Sequence, residues 1–160
     1  MSDEPARLTH VRADGTAAMV DVSAKEITAR SASAAGRVLL SPAAVGALHE
    51  GTVPKGDALA VARIAGLQAV KRTPDLVPLA HPVAVHFAAV DLTVVDDGVD
   101  IEATVRTADR TGIEMEALTA VAVAALALVD MVKAVDRHAR ITDIRVTAKS
   151  GGRSGDWREA

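Results

Sequence analysis

The stretch that most constrains the fold is a long apolar run between Arg110 and Val135. Between Glu116 and Val129 only Thr119 carries a polar side chain, and neither Gly nor Pro interrupts the run. Ala and Leu, which dominate it, are strong helix formers. The run therefore predicts an α-helix over residues 110–135, and a helix that is apolar all round must be buried on nearly every side.

Charged residues lie at both ends of this predicted helix. Glu114 and Glu116 are near its N-terminal end, and Asp130 and Lys133 are near its C-terminal end. Glu116 and Asp130 are fourteen residues apart, which puts them within about 40° on the helical wheel but about 21 Å apart along the axis. One small-molecule pocket cannot span that distance, so a shared site would need a second copy packed antiparallel about a two-fold axis. The alternative is a buried core helix whose charged ends are solvated.

Composition excludes several classes of function. The 160 residues fit a single domain, 1–160, in which we expect residues 1 to about 18 and 150–160 to be flexible. A net charge of −3 argues against a nucleic-acid-binding surface, and the absence of Cys excludes disulfides and thiolate chemistry. The polar N-terminus lacks the apolar core of a signal peptide, and the long helix is rich in Ala, so we expect a cytoplasmic protein that does not cross a membrane.

The periodicity of the remaining segments predicts an α+β fold. The predicted strands are Glu26–Leu40, Val83–Val95, Val99–Val105 and Ile141–Lys149, and the predicted shorter helices are Pro42–His49 and Ala58–Arg72. This order is the split β-α-β, ferredoxin-like plan, with an antiparallel four-stranded sheet and helices on one face. Because the helices are so apolar, we expect the face of the sheet that they leave uncovered to be buried by oligomerisation.

The last predicted strand leads into a glycine-rich basic tail. Strict alternation places Ile144 on one face of this strand and Lys149 on the opposite face. Backbone N–H groups and the two cations of residues 149–155 can cradle phosphates. A flexible C-terminal tail is the alternative interpretation.

Several polar residues suit phosphate binding and proton transfer. Lys55 lies just before a predicted helix N-terminus, which attracts anions, and His81 is held between prolines. Asp130 and Lys133 are spaced i, i+3, so the carboxylate can position the lysine. A solvated turn lysine, a surface histidine and an ordinary ion pair explain the same residues structurally. The His, Asp and Glu spacings form no convincing metal site.

Seven stretches, in collinear order between about residues 8 and 157, resemble motifs of one known family. They are Met19–Lys25, Lys55–Asp57, Ala62–Gly66, Lys71–Pro82, Thr111–Thr119, Asp130–Ala134 and Lys149–Gly152. On these residues the chain is similar to the MoaC family of molybdenum cofactor biosynthesis. The resemblance implies a ferredoxin-like subunit in a hexamer of three dimers, with each active site at a subunit interface.

The resemblance also implies a reaction and a set of site residues. The enzyme would be a lyase that converts the 3′,8-cyclised dihydro-GTP nucleotide into cyclic pyranopterin monophosphate with release of diphosphate. The implied catalytic residues are Lys55, Asp130 and Lys133. The implied substrate-binding residues are His81, Glu114, Met115, Glu116 and Lys149. No cofactor is required, although Mg²⁺ is compatible with the chemistry.

Within this resemblance, His81 and Lys149 would hold the triphosphate, and the glutamates would receive the ring edge or shuttle protons. Three positions depart from the family pattern: Ala80 stands where Cys is common, and Arg110 and Arg153 stand where Lys is common. Arginine keeps the charge but contacts phosphate with a different geometry. A non-catalytic, ferredoxin-like nucleotide-binding or regulatory oligomer is the alternative function. It leaves the carboxylates and the proline-flanked histidine without a role.

Overall fold

The computed structural model describes residues 9–160, and the prediction of a flexible segment over residues 1–8 lies outside that range. The helices are α1 (Pro42–Glu50), α2 (Ala58–Val70), α3 (Thr73–Leu76) and α4 (Glu114–Val132). The strands are β1 (Thr28–Leu39), β2 (Phe87–Val95), β3 (Gly98–Asp109), β4 (Arg140–Ser150) and β5 (Trp157–Arg158).

The strands form one antiparallel sheet in the order β2-β3-β1-β4-β5. The first four strands and the packing of α2 and α4 against them confirm the predicted ferredoxin-like α+β fold. The predicted count of four strands is wrong, because Trp157 pairs with Lys149 and adds the short fifth strand. Gly151, Gly152 and Gly155 all have positive φ angles, which allow the chain to turn back onto β4.

Strand β1 lies at the centre of the sheet and receives α4 on one face. Its inward side chains are small, and Ala32, Ala34 and Val38 are almost completely buried. Gly36 follows the same alternation, and a Cβ there would lie 2.7 Å from Val121 Cγ1 of α4. The missing side chain therefore permits the close approach of the long helix to the central strand.

Helix α4 runs without interruption over nineteen residues. It begins later than predicted because Ile113 adopts a non-helical conformation, with φ −119° and ψ 20°. By length and composition alone α4 could cross a membrane, a property that it shares with core helices, and it packs against α2 and the sheet. The prediction of burial on nearly every side is wrong for the single chain, since Leu126 is 61% exposed and Met115 is 42% exposed.

Strand β4 departs from strict alternation, and this departure corrects the predicted position of Lys149. The pairing with β1 shifts register between Ser33 and Ala34 and again between Ala35 and Arg37. An extra residue in one strand moves the following side chains to the opposite face. Lys149 consequently lies on the helix side of the sheet, where its Nζ is 3.3 Å from Glu114 Oε1.

Strand β2 begins at Phe87, four residues later than predicted. In the segment just before Phe87, the Ala84 carbonyl accepts a hydrogen bond from the Thr107 side chain rather than from the backbone of a neighbouring strand. The predicted helix Ala58–Arg72 likewise ends earlier, at Val70, and the single turn of α3 follows with Pro74 in its first turn. Proline is tolerated there because the first N–H groups of a helix have no intrahelical partner.

Candidate active site

The five predicted substrate-binding residues lie around one cavity at the N-terminal end of α4. This N-terminal cavity has a volume of about 530 Å³. Its walls include His81, Glu114, Met115, Glu116 and Lys149. The structure therefore brings together residues that are up to 68 positions apart, from His81 to Lys149.

Glu114 and Lys149 form an ion pair on the wall of this cavity. The lysine Nζ is 3.3 Å from Glu114 Oε1 and donates a hydrogen bond of 2.9 Å to Ser154 Oγ. A side chain at Gly112 would collide with the Glu114 carboxylate, so the glycine allows this carboxylate to lie back over the start of α4. Both charged groups are about 70% covered, which holds the cation in one place beside the cavity.

His81 is held by the segment that precedes β1. Its Nε2 lies 2.6 Å from the Val20 carbonyl oxygen. A carbonyl only accepts, so Nε2 carries the hydrogen and the imidazole presents Nδ1 to other partners. Nδ1 can donate to a phosphate oxygen only when the ring is protonated, and Val20 itself also lines the cavity.

Glu116 is the most buried ionisable group of the N-terminal cavity. It is only 3% exposed, although a carboxyl group with an ordinary pKa is charged at neutral pH. Burial raises the pKa of Glu116, and the nearby Glu114 carboxylate raises it further, against the opposing effect of its own backbone N–H. A carboxyl group in these surroundings can carry a proton closer to neutral pH than an exposed one.

The three predicted catalytic residues meet at the opposite end of α4. Lys55 Nζ donates to Asp130 Oδ2 at 2.8 Å, and Lys133 Nζ donates to Asp130 Oδ1 at 2.6 Å. Lys55 lies in the turn before α2, which begins with Asp57 accepting a hydrogen bond from Ala60 N. The hydrogen bond from Lys133, and then that from Lys55, lowers the pKa of Asp130 to about 2.

The two groups of residues do not meet within one chain. Glu116 and Asp130 are fourteen residues apart on a helix without a break, so about 21 Å of helix axis separates them. None of Lys55, Asp130 and Lys133 contributes to the N-terminal cavity. One copy of the chain therefore contains a binding cavity and a lysine–carboxylate cluster that face different surroundings.

Two cations of the N-terminal cavity, Lys25 and Arg30, were not among the predicted site residues. Lys25 had a sequence signal, since it closes the first motif stretch, whereas Arg30 lay within a predicted strand and had none. Of the departures from the family pattern, Ala80 lines the cavity and Arg110 donates from Nε to the Lys25 carbonyl at 3.0 Å. Among residues 9–160, no group of three or more His, Asp or Glu side chains could hold a metal ion.

Comparison with known proteins gives a consistent result. The model of the MoaC family matches residues 19–152. The chain is 62% identical over 160 residues to the cyclic pyranopterin monophosphate synthase of Nocardioides sp. strain JS614, with 98% of each chain covered. It is 63% identical over 155 residues to the protein of that name from Streptomyces coelicolor, covering 97% of this chain and 91% of the relative. It is 56% identical to that from Roseiflexus sp. strain RS-1 over 152 residues, or 94% of this chain and 96% of the relative.

Proposed function

Because the chain belongs to the MoaC family, we propose that it is an enzyme that forms cyclic pyranopterin monophosphate, the product named in its relatives. The substrate is the 3′,8-cyclised dihydro-GTP nucleotide, and diphosphate is released. The enzyme is thus a lyase of molybdenum cofactor biosynthesis, for which a cytoplasmic location is expected. The family match over residues 19–152 carries this proposal, since it contains all eight predicted site residues.

The N-terminal cavity supports binding of the nucleotide. Lys149 and a protonated His81 would contact the triphosphate, because both offer charged N–H donors. Glu114 and Glu116 would pair with N–H groups on the edge of the guanine-derived ring, since carboxylates accept such hydrogen bonds. Met115, 42% exposed beside them, offers a polarizable apolar contact to the ring face.

The lysine–carboxylate cluster supports the proton transfers. Removal of diphosphate from a triphosphate leaves one phosphate, and its cyclic form requires a substrate hydroxyl to attack that phosphorus. The hydroxyl must lose its proton, and the departing diphosphate must be stabilised as an anion. Lys55 and Lys133 are the groups that we assign to the proton transfer and to the stabilisation of the departing diphosphate, and Asp130 holds both lysines in position. This scheme needs no cofactor and is compatible with Mg²⁺ bound to the phosphates.

A second copy of the chain would bring the cluster to the cavity. The outer surface of the helix layer is apolar, with Leu126 61% exposed on α4 and Ile64 65% exposed on α2. The uncovered face of the sheet is more polar and includes the ion pair of Arg37 Nε with Asp100 Oδ1 at 2.6 Å. Exposed apolar surface favours association between copies, so the helix layer, rather than the sheet face expected from the sequence, supports such a contact. We therefore propose that each active site lies between two subunits, and the resemblance to the family adds the expectation of a hexamer of three dimers.

Turnover of the cyclised nucleotide tests the proposed function. Purified protein incubated with this substrate is expected to release diphosphate and to form the cyclic pyranopterin product in equal amounts. A non-catalytic nucleotide-binding oligomer, which the relatives' names do not favour, would bind the nucleotide without releasing diphosphate. Binding with no product, in protein that elutes as a folded oligomer, would overturn the enzymatic assignment.

A further inference from the structure

Two carboxyl groups within residues 9–160 are buried, those of Glu116 and Asp136, and only Glu116 lines the N-terminal cavity. Asp136 is 7% exposed and follows the end of α4, between the last two motif stretches. Burial of a charged group is costly unless the group is hydrogen-bonded. The partners of Asp136 therefore indicate what this carboxyl group does.

Asp136 connects the end of α4 to the start of α1. Its Oδ2 accepts a hydrogen bond of 2.6 Å from Ser41 N, and its Oδ1 accepts one of 2.8 Å from His138 N. Its own N–H donates to the Val132 carbonyl at 2.9 Å, so its backbone is bound to the last turn of α4. The Ser41 N–H lowers the pKa of Asp136 against the opposing effect of burial. At neutral pH the carboxylate is therefore an anion that holds two N–H groups by charge-assisted hydrogen bonds.

The residues from Ser41 to Lys55, hereafter segment 41–55, are bound to the C-terminal part of α4 at both ends. Ser41 is held by Asp136, and Lys55 Nζ donates to Asp130 Oδ2 at 2.8 Å. Three apolar side chains between these two contacts are buried in the core: Ala44, Val45 and Val53. Segment 41–55 is thus fixed by its core contacts and by two carboxylates at the C-terminal end of α4.

The contact between Lys55 and Asp130 is too exposed to determine the position of the lysine by itself. The two side chains are 41% and 54% exposed, and ion pairs with such exposure contribute little to stability. The position of Lys55 therefore depends on the segment that carries it. The buried carboxylate of Asp136 holds the other end of that segment, so a change at Asp136 should affect Lys55.

We propose that Asp136 is a positioning residue of the reaction, which fixes segment 41–55 on α4 and thereby places the Lys55 amine against Asp130. Asp136 acts through Lys55 and does not touch the substrate. The inference rests on the proposed function, because that function gives the lysine–carboxylate cluster its task. A purely structural carboxylate would instead stabilise the fold without affecting the lysine.

Kinetic measurements on Asp136→Ala and Asp136→Asn test the proposal. Asp136→Ala removes both acceptor oxygens. Its kcat is expected to fall about tenfold while the KM changes less than about twofold, because displacing a catalytic group lowers the rate without removing substrate contacts. Asp136→Asn keeps the shape and one acceptor oxygen, so its kcat should lie between those of Asp136→Ala and wild type. This second variant provides the test if Asp136→Ala does not fold.

Ser41→Ala is the control for a loss of stability. This substitution removes the hydroxyl group that accepts a hydrogen bond from Ala44 N at the start of α1, but it keeps the backbone N–H that Asp136 binds. It should lower the Tm, because a helix cap is lost, and leave kcat unchanged. If Ser41→Ala and the Asp136 variants lost activity in proportion to their loss in Tm, Asp136 would only stabilise the fold and the proposal would be overturned.

A double-mutant cycle shows whether Asp136 acts through Lys55. In protein that already carries Lys55→Ala, Asp136→Asn should change the residual single-turnover rate less than about twofold, because the group that Asp136 positions is gone. If the substitution lowered the rate in that background by the same factor as in the wild type, Asp136 would act independently of Lys55, contrary to the proposal.

Amine labelling provides a readout that does not depend on turnover. The labelling reagent is an acetyl succinimidyl ester, and peptide mass spectrometry measures the rate at each lysine. Lys55 should react about two- to fivefold faster in Asp136→Asn than in the wild type, the factor expected for the loss of an exposed ion pair. Lys71, exposed at the end of α2, is the internal reference and should react equally in both proteins. Equal Lys55 rates in the two proteins would contradict the proposed positioning.

Labelling and turnover together separate this inference from the proposed function. Faster labelling of Lys55 in Asp136→Asn, in protein whose wild type never converts the cyclised nucleotide, would keep the link between Asp136 and Lys55 and remove the enzymatic assignment. Normal turnover and unchanged labelling in Asp136→Asn would keep the enzymatic assignment and overturn the role of Asp136.

Discussion

The carboxyl groups at the N-terminal and C-terminal ends of α4 have opposite surroundings. At the N-terminal end Glu116 is 3% exposed, and burial raises its pKa. At the C-terminal end the Asp130 side chain is 54% exposed between two lysines, which lower its pKa to about 2. One end thus favours a carboxyl group that keeps its proton, and the other favours a permanent anion.

This difference shows how one helix can serve two chemical tasks. Desolvation and a neighbouring carboxylate favour the neutral acid, whereas ammonium partners favour the ion. The raised pKa of Glu116 favours a proton on that carboxyl group, while the Asp130 anion holds Lys55 and Lys133 in position. If this division is correct, substitutions at the two ends should affect different kinetic quantities.

Loss of Lys133 is expected to have the largest effect. Lys133→Ala should lower turnover about 10²–10⁴-fold, the usual contribution of a general acid or base, and should change the Kd of the substrate only a few-fold. Single-turnover rates and equilibrium binding measure the two quantities. Arg137→Ala removes an exposed cation a few residues further on and should behave as wild type. Normal turnover in Lys133→Ala would show that the Asp130–Lys133 contact is an ordinary ion pair without a role in catalysis.

Mixing two inactive variants tests whether the two ends meet between subunits. Glu116→Ala and Lys133→Ala, unfolded and refolded together in equal amounts, should recover about a quarter of wild-type activity. Mixed dimers form in about half of the cases, and one of the two sites in each mixed dimer then contains neither substitution. Each variant refolded alone is the control.

If Glu116 and Lys133 acted within one chain, every site of the mixed dimers would carry a substitution and no activity would return. Such a result in properly assembled mixtures would contradict the shared site. It would require α4 to bend, although it is continuous from Glu114 to Val132.

Substitution of Lys149 should affect binding more than catalysis. Lys149→Ala removes a cation held at the N-terminal cavity by Glu114 and Ser154, so the KM for the nucleotide should rise about tenfold while kcat changes less. Inhibition by diphosphate should weaken in parallel. A fall in kcat at constant KM would assign Lys149 to catalysis, as proposed for Lys133. The two ends of α4 would then no longer differ in function.

The smallest expected effect concerns stability and follows from the protonation of Glu116. Its pKa is raised in the folded state above the ordinary value of 4.5, so the folded protein binds this proton more tightly than the unfolded chain does. The free energy of unfolding therefore decreases as the pH rises from 4.5 through the folded-state pKa. Glu116→Gln removes this ionisation and should raise the Tm by a few degrees at pH 7 but not at pH 4.

Glu114→Gln is the control for that measurement. The Glu114 carboxylate pairs with Lys149, so its neutralisation removes an attraction and should not raise the Tm at pH 7. Equal shifts in the two variants at both pH values would contradict the assignment of the raised pKa to the burial of Glu116.

Local patterns predicted most of the fold because they depend on neighbouring residues. The apolar run of α4, the Ser41 cap with Pro42 at the start of α1, and the alternation of β1 all correspond to elements of the structure. Burial of Val99 and Ile101 on one side of β3 follows from the same alternation. The beginning of β2 was not predictable in this way, because Thr107, distant in sequence, engages the Ala84 carbonyl.

The members of the candidate site were predicted from motifs, and the pairing of Asp130 with Lys133 from their spacing, but the contact of Lys55 with Asp130 was not predicted. The contact of Lys55 with Asp130 joins residues 75 positions apart, and a turn lysine carries no local sign of such a partner. Arg30 was missed because a charged residue near the start of a strand is common and does not by itself indicate a binding site. Its position on the wall of the N-terminal cavity depends on the Asp109 and Arg110 carbonyls and on the close approach of Gly152.

The sequence by itself determined the order of the main elements and the distance between the charged ends of α4. Each of these follows from side-chain periodicity and from the fixed rise of a helix. Only the tertiary structure decided on which side of the sheet Lys149 lies. The register shifts of β4 arise from its pairing with β1, and a shift of one residue exchanges the two faces of a strand. Because that pairing is made with a strand more than a hundred positions earlier in the chain, no pattern within β4 could reveal it.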